Sequence, residues 1–256
     1  MIHFTAPRLR RLALCLLLSV LPTKASSETA VLERFNEANA DFAAGRYEEA
    51  TREFRSLLDD GHLSTAILFD LGNAEVRAGR VGEAVLQYER ALALSPRNPD
   101  VIANLRHVRA AAELTPPERN GWEEVAATLT VDEWAWLASA ALWAGCLLLG
   151  THALRSASES GLGRQKFAAL LAIAAVCIVA TLLAATRLSD LQRAVALGVE
   201  PGLREAPFEA AKVSVELSPG ELVRIERSHG DFVLARTAAD EAGWIRASSV
   251  QQILPP

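Results

Sequence analysis

Residues 134–154 read WAWLASAALWAGCLLLGTHAL, and residues 167–186 read FAALLAIAAVCIVATLLAAT. Neither run contains Asp, Glu, Lys or Arg; His152, near the end of the first, is the one basic side chain in either. A helix rises about 1.5 Å per residue, so each run is long enough to cross the roughly 30 Å hydrocarbon core of a bilayer. A helix of a water-soluble core usually keeps a polar stripe, and these stretches have none. The second run is rich in alanine, which lets two helices approach closely. Trp134 and Trp136 stand where an interfacial aromatic belt would lie. The expectation is a two-helix transmembrane hairpin, with spans at 134–154 and 167–187.

The loop between them, 155–166, carries Arg155, Arg164 and Lys166 against Glu159 alone. The positive-inside rule puts that loop in the cytoplasm and both flanking segments on the other side. Residues 1–25 agree. Arg8, Arg10 and Arg11 precede an apolar stretch at 12–21 and a small-residue site at Thr23-Lys24-Ala25, the parts of a secretory signal. Lys24 between the small residues leaves cleavage after Ala25 and an uncleaved anchor both open. Cys15 has Leu14 and Leu16 beside it, which is no lipobox.

Two water-facing modules remain, at 26–114 and 194–256, with a linker and interfacial helix at 115–133. The paired prolines and glycine of 115–121 end helices, while 122–129 has the pattern of a short amphipathic helix lying on the membrane. The net charge of −5 over 256 residues argues against a nucleic-acid partner. Cys15, Cys146 and Cys177 all fall in apolar segments, so the modules have neither a disulfide framework nor a thiolate metal site.

The first module repeats. Gly45, Ala50 and Phe54 recur as Gly79, Ala84 and Tyr88, and Ala38-Asn39 recurs as Gly72-Asn73. This offset and residue pattern resembles the tetratricopeptide repeat. Repeats are expected at 31–64 and 65–98, with a capping helix at 99–113 whose Leu105 matches Leu71. The second repeat matches better, through Leu71-Gly72-Asn73, Gly79, Glu83-Ala84, Tyr88, Ala91-Leu92 and Pro96. Val81 stands where the first repeat has Tyr47, and the first repeat ends in Asp60-Gly61-His62 without proline.

After the second span, 187–197 reads as a short continuation of the helix to Gly198, after which the pattern becomes that of strands. Residues 212–217 alternate, 222–225 and 232–235 are apolar-rich, and Ser218-Pro219-Gly220 and Ser228-His229-Gly230-Asp231 read as turns. Gly230-Asp231-Phe232-Val233 and Gly243-Trp244-Ile245 resemble the bacterial SH3-like domain, which implies a small all-β barrel. The expected fold class is therefore a multidomain membrane protein: all-α tetratricopeptide repeats, a two-helix transmembrane hairpin and an SH3-like barrel. That order of modules resembles the BatE-type proteins of bacterial aerotolerance operons. The resemblance implies a two-pass inner-membrane adaptor, its repeats and SH3-like domain periplasmic, working beside von Willebrand A-domain membrane proteins.

Catalytic, cofactor and metal sites are not expected. His3, His62, His107, His152 and His229 are scattered, and there is no Walker loop or nucleophile elbow. The chain reads as a non-enzyme. By the repeat resemblance, the first helix of each pair lines a concave protein-binding groove. That puts Phe35, Asn39 and Phe42 from repeat one, Phe69, Asn73 and Arg77 from repeat two, and His107 from the cap towards a ligand. Asn side chains there either bond the backbone of an extended peptide or satisfy neighbouring helix groups. Acids outnumber bases across this module, which favours a basic partner surface. On the SH3-like module Phe232 and Trp244 are the candidate surface, Trp244 serving equally well as core or as ligand platform. A module that binds peptidoglycan and tethers cell-wall enzymes is the alternative function.

Overall fold

The computed structural model describes residues 22–115, 120–155, 164–191, 193–198 and 202–254. Most of the expected export signal, and residues 156–163 of the expected cytoplasmic loop, lie outside them. The cleavage segment at 23–25 falls in the first turns of helix α1 (Pro22–Ala43). Four further helices complete the repeat module: α2 (Tyr47–Asp59), α3 (Thr65–Arg77), α4 (Val81–Leu94) and α5 (Pro99–Ala111).

The repeat is visible in its punctuation. Gly45 and Gly79 both have φ of +78°. Each ends its helix with the same pair of bonds, Gly45 N–H to Phe42 O with Arg46 N–H to Asp41 O, and Gly79 N–H to Val76 O with Arg80 N–H to Glu75 O. That is a left-handed cap in which the last carbonyls find donors, and glycine takes it without a Cβ penalty. Ser64 caps α3 by accepting from Ile67 N–H, and Asn98 caps α5 with Pro99 behind it. Between the helices Ala50, Ala84, Phe54 and Tyr88 are all buried. A Cβ on Gly72 would stand 2.6 Å from the Tyr88 ring, so the ring fits only because position 72 has no side chain.

Beyond the linker come α6 (Gly121–Ala126), α7 (Val131–Arg155) and α8 (Arg164–Leu191). Asn120 and Glu123 form a reciprocal capping box on α6. The two apolar runs fall on α7 and α8, which pack antiparallel: Cys177 Sγ donates to Ala138 O, and a Cβ on Gly145 would meet Ile173 at 3.2 Å. Large apolar side chains point outward from the pair, among them Trp136, Trp143, Leu147, Ile178 and Leu182. Among the described residues one helical window, Leu171–Leu188, is long and apolar enough to cross a membrane.

The helix expected to continue to Gly198 stops at Leu191. Residues Arg193–Ala196 instead form strand β1, paired antiparallel with β4 (Leu222–His229) and β7 (Val250–Gln252). With β2 (Gly202–Arg204), β3 (Val213–Glu216), β5 (Phe232–Thr237) and β6 (Ala242–Arg246) they make one seven-stranded sheet in the order β3-β2-β6-β5-β4-β1-β7. Each of the six neighbouring pairs is antiparallel. The ladder is open, with β3 and β7 at its edges, where the resemblance implied a closed barrel. Its inner side is lined by Ala194, Ala196, Leu203, Val223, Val233, Ala235, Ile245 and Val250.

Helix repeats and sheet are not separate bodies. One core contains Leu68, Val85, Leu86, Tyr88 and Val101 from the helices together with Val195 and Ile253 from the sheet. Strand β1 is the shared wall: Ala194 and Ala196 face the sheet core and Val195 the helical one. The backbones come close enough that a Cβ on Gly82 would stand 2.9 Å from Ala196 O, and one on Gly220 2.8 Å from Leu114. Arg90 on α4 donates to the carbonyls of Gln252 and Ile253. Arg187, near the end of α8, donates to Leu92 O at the end of α4, a tie that satisfies a helix-terminal carbonyl with a cation.

Candidate protein-binding groove

A small cleft of about 170 Å³ opens on the repeat module. Phe42 of α1, Asn73, Val76 and Arg77 of α3, and His107 and Val108 of α5 line it, with Tyr88 and Asn104 at its floor. Four of the sequence-derived residues, Phe42, Asn73, Arg77 and His107, therefore meet. Phe35 and Phe69 are half-buried and pack as tilted rings on Phe54 and Tyr88, at centroid distances of 5.8 and 6.1 Å. They back the helices that form the cleft.

The floor is a chain of polar side chains. Tyr88 Oη donates to Asn73 Oδ1 at 2.7 Å, and Asn104 Nδ2 donates to the same oxygen at 2.8 Å. The Asn39 and Asn73 amides in turn lie beside the Asp70 carboxyl and favour its charged form. The Asn73 carbonyl is thus filled from within the protein, and its work is to hold the floor together. Burial raises the Asp70 carboxyl above the usual carboxylate range, against the two amides, which favour its charged form. The Tyr88 phenol is pushed up to about 12, chiefly by burial. Tyr88 therefore stays a neutral donor at physiological pH.

The rim carries what is free to meet a ligand. The Arg77 guanidinium lies 4.7 Å from the Tyr47 ring centroid and also donates to its hydroxyl, and Phe42 packs edge-on against the same ring. His107 is exposed on the opposite rim. An apolar strip of Phe42, Val76 and Val108 between two donor groups suits an apolar side chain flanked by acceptors. Asn104 and Tyr88 were missed as site residues. The register that marks positions 39, 73 and 107 also marks Asn36, Asp70 and Asn104, and that second polar column was the available signal.

On the sheet, Phe232 is buried, 8% exposed, and Trp244 is half-buried with its ring edge-on to His229 at 6.1 Å. Leu234 is the direct neighbour of Trp244 across the strands.

A tetratricopeptide repeat family model matches residues 35–99, which span α1 to the start of α5. No curated protein matches the chain, and no solved structure does. The matched helices form a tetratricopeptide repeat module, an architecture of protein–protein interaction, and it implies protein partners.

Proposed function

We propose that this chain is a non-enzymatic, two-pass adaptor of the bacterial inner membrane that holds protein partners in its repeat groove on the periplasmic side. The observation that carries this reading is where the sheet docks. It packs on α4 and leaves the cleft built from α1, α3 and α5 uncovered. Membrane anchoring by α7 and α8 is supported by their outward apolar faces. It is supported again by the common core, because two modules that share one interior must lie on one side of a membrane. The chain between them then crosses an even number of times. Partners of the von Willebrand A-domain class, in a complex of the aerotolerance type, rest on the order of modules alone.

The test is a crosslinking pulldown from membranes, comparing wild type with Arg77→Ala/His107→Ala and with Arg52→Ala, a surface change on α2. Loss of specific membrane-protein partners in the double variant alone is expected. An unchanged partner list would move the working surface to the Trp244 side of the sheet. Retention of the purified protein on insoluble cell wall would favour the peptidoglycan-binding alternative instead.

A further inference from the structure

Three arginines stand in a row across the sheet. Arg193 of β1 is the direct partner of Arg224 on β4, and Arg224 is the direct partner of Arg236 on β5. Side chains of directly opposed residues leave the sheet on the same face, and like charges placed so repel. All three line one cavity of about 250 Å³, with Glu123 of α6 and Asp240 also in its wall. The outer two are compensated. Arg193 lies 3.9 Å from Glu123, and Arg236 pairs with Glu226 and Asp240. Arg224, in the middle, has no hydrogen-bonded or ion-paired partner among the described residues; Glu226 feels it only through space. Glu123, Glu226 and Asp240 thus offset the outer pair, and the central guanidinium, exposed at the mouth of the cavity, has acceptor-seeking donors to spare.

The cavity has a neighbour of opposite character. A cleft of about 350 Å³ runs between Trp122 on α6 and Val179, Leu182 and Leu183 on α8, mostly apolar in its lining. Glu123 borders both spaces, so the apolar cleft and the arginine cavity adjoin at that side chain. Glu123 itself is occupied, accepting from Asn120 N–H and facing Arg193.

We propose that the two spaces together form a site for one anionic phospholipid, its acyl chain along α8 between Trp122 and Leu182 and its phosphate on Arg224. The unpaired Arg224 selects an anion, and the adjoining apolar cleft selects one with a hydrocarbon tail over free phosphate. The site rests on the membrane reading of α8 given above. It would fix the height of the sheet on the bilayer surface, since β1 begins two residues after α8 ends.

The test uses the full chain in detergent, with native mass spectrometry counting retained lipids after addition of phosphatidylglycerol, phosphatidylcholine or glycerol phosphate. Resistance of the chain to alkaline carbonate extraction is measured first on the same membranes. Wild type should retain a single phosphatidylglycerol in preference to phosphatidylcholine and ignore glycerol phosphate. Arg224→Ala should lower that preference about tenfold, the loss of one charge-assisted contact, while Arg224→Lys keeps most of it. Leu182→Trp, which fills the cleft and leaves the charges alone, should lose both lipids. Equal retention of the two lipids by wild type, or an unaltered preference in Arg224→Ala, would overturn the site while leaving carbonate resistance intact. Release by carbonate would overturn the membrane reading and the site with it. Saturable binding of glycerol phosphate would convert the cavity into a soluble-anion site and sink the lipid assignment.

Discussion

Asp70 illustrates how one residue can cost the fold stability and still hold the groove. Its carboxyl is raised by burial, so between the unfolded and the folded titration ranges the native state binds more protons than the unfolded chain. Stability therefore falls as pH rises through that window. Asp70→Asn keeps an acceptor for the Asn39 and Asn73 amides and removes the charge. The expected outcome is a higher thermal midpoint at neutral pH than wild type, with the gap closing as the pH is lowered to the carboxylate range. Tyr88→Phe tests the other end of the same chain. It removes the donor to Asn73 without changing the ring that fills the space over Gly72, and should cost about 1 kcal/mol in denaturant unfolding. Phe54→Ala, at the equivalent position of the first repeat, opens a hole in a fully buried core and should cost about 3–5 kcal/mol.

At the scale of elements, what the sequence revealed depended on whether the cause was local. Gly45, Gly79, Ala50, Ala84, Phe54 and Tyr88 each do their work within one helix pair, so their spacing exposes the repeat and its boundaries. Strand β1 had no such signature. Arg-Ala-Val-Ala is buried on both faces, so it lacks the alternation of a half-buried strand, and it follows directly on a helix. Its conformation is set by β4 and β7, which come later in the chain. The arginine row was invisible for the same reason, since register between strands cannot be read along one of them. In the groove, Arg77 and His107 were legible from the repeat, whereas the internal saturation of Asn73 depends on Tyr88 and Asn104 arriving from other helices. The contact of α4 with β1 yields its own prediction. Gly82→Val forces a side chain against Ala196 O, and amide hydrogen exchange in 193–196 and 250–253 should accelerate while α1 and α2 stay protected.

At the scale of the whole molecule, the buried acids among the described residues, Glu75 and Glu89, lie where helices meet. Glu75 is fully buried, with Arg55 and Arg80 as its partners, and Asp41 with Arg46 repeats the pair one unit earlier. Glu75→Ala should lower stability by about 2 kcal/mol, read from chemical denaturation of the full chain in detergent, because two guanidinium groups lose their shared acceptor. The Arg52–Glu49 pair on the outside of α2 is mostly exposed, and its removal should leave the midpoint unchanged.

The shared wall at β1 also sets the order of events during synthesis. The helical module leaves the ribosome first, with the side of α4 that carries Val85 and Arg90 bare, and the strands that cover it follow only after α7 and α8. Contacts between chain segments so far apart form late and slowly. Through that interval the nascent repeats present an apolar surface to their surroundings, so a chaperone of the nascent chain has a defined client surface and a defined moment of release. A chain stopped before residue 193 would keep that surface permanently open and should accumulate as aggregate or be degraded, although every helix of its groove is already present.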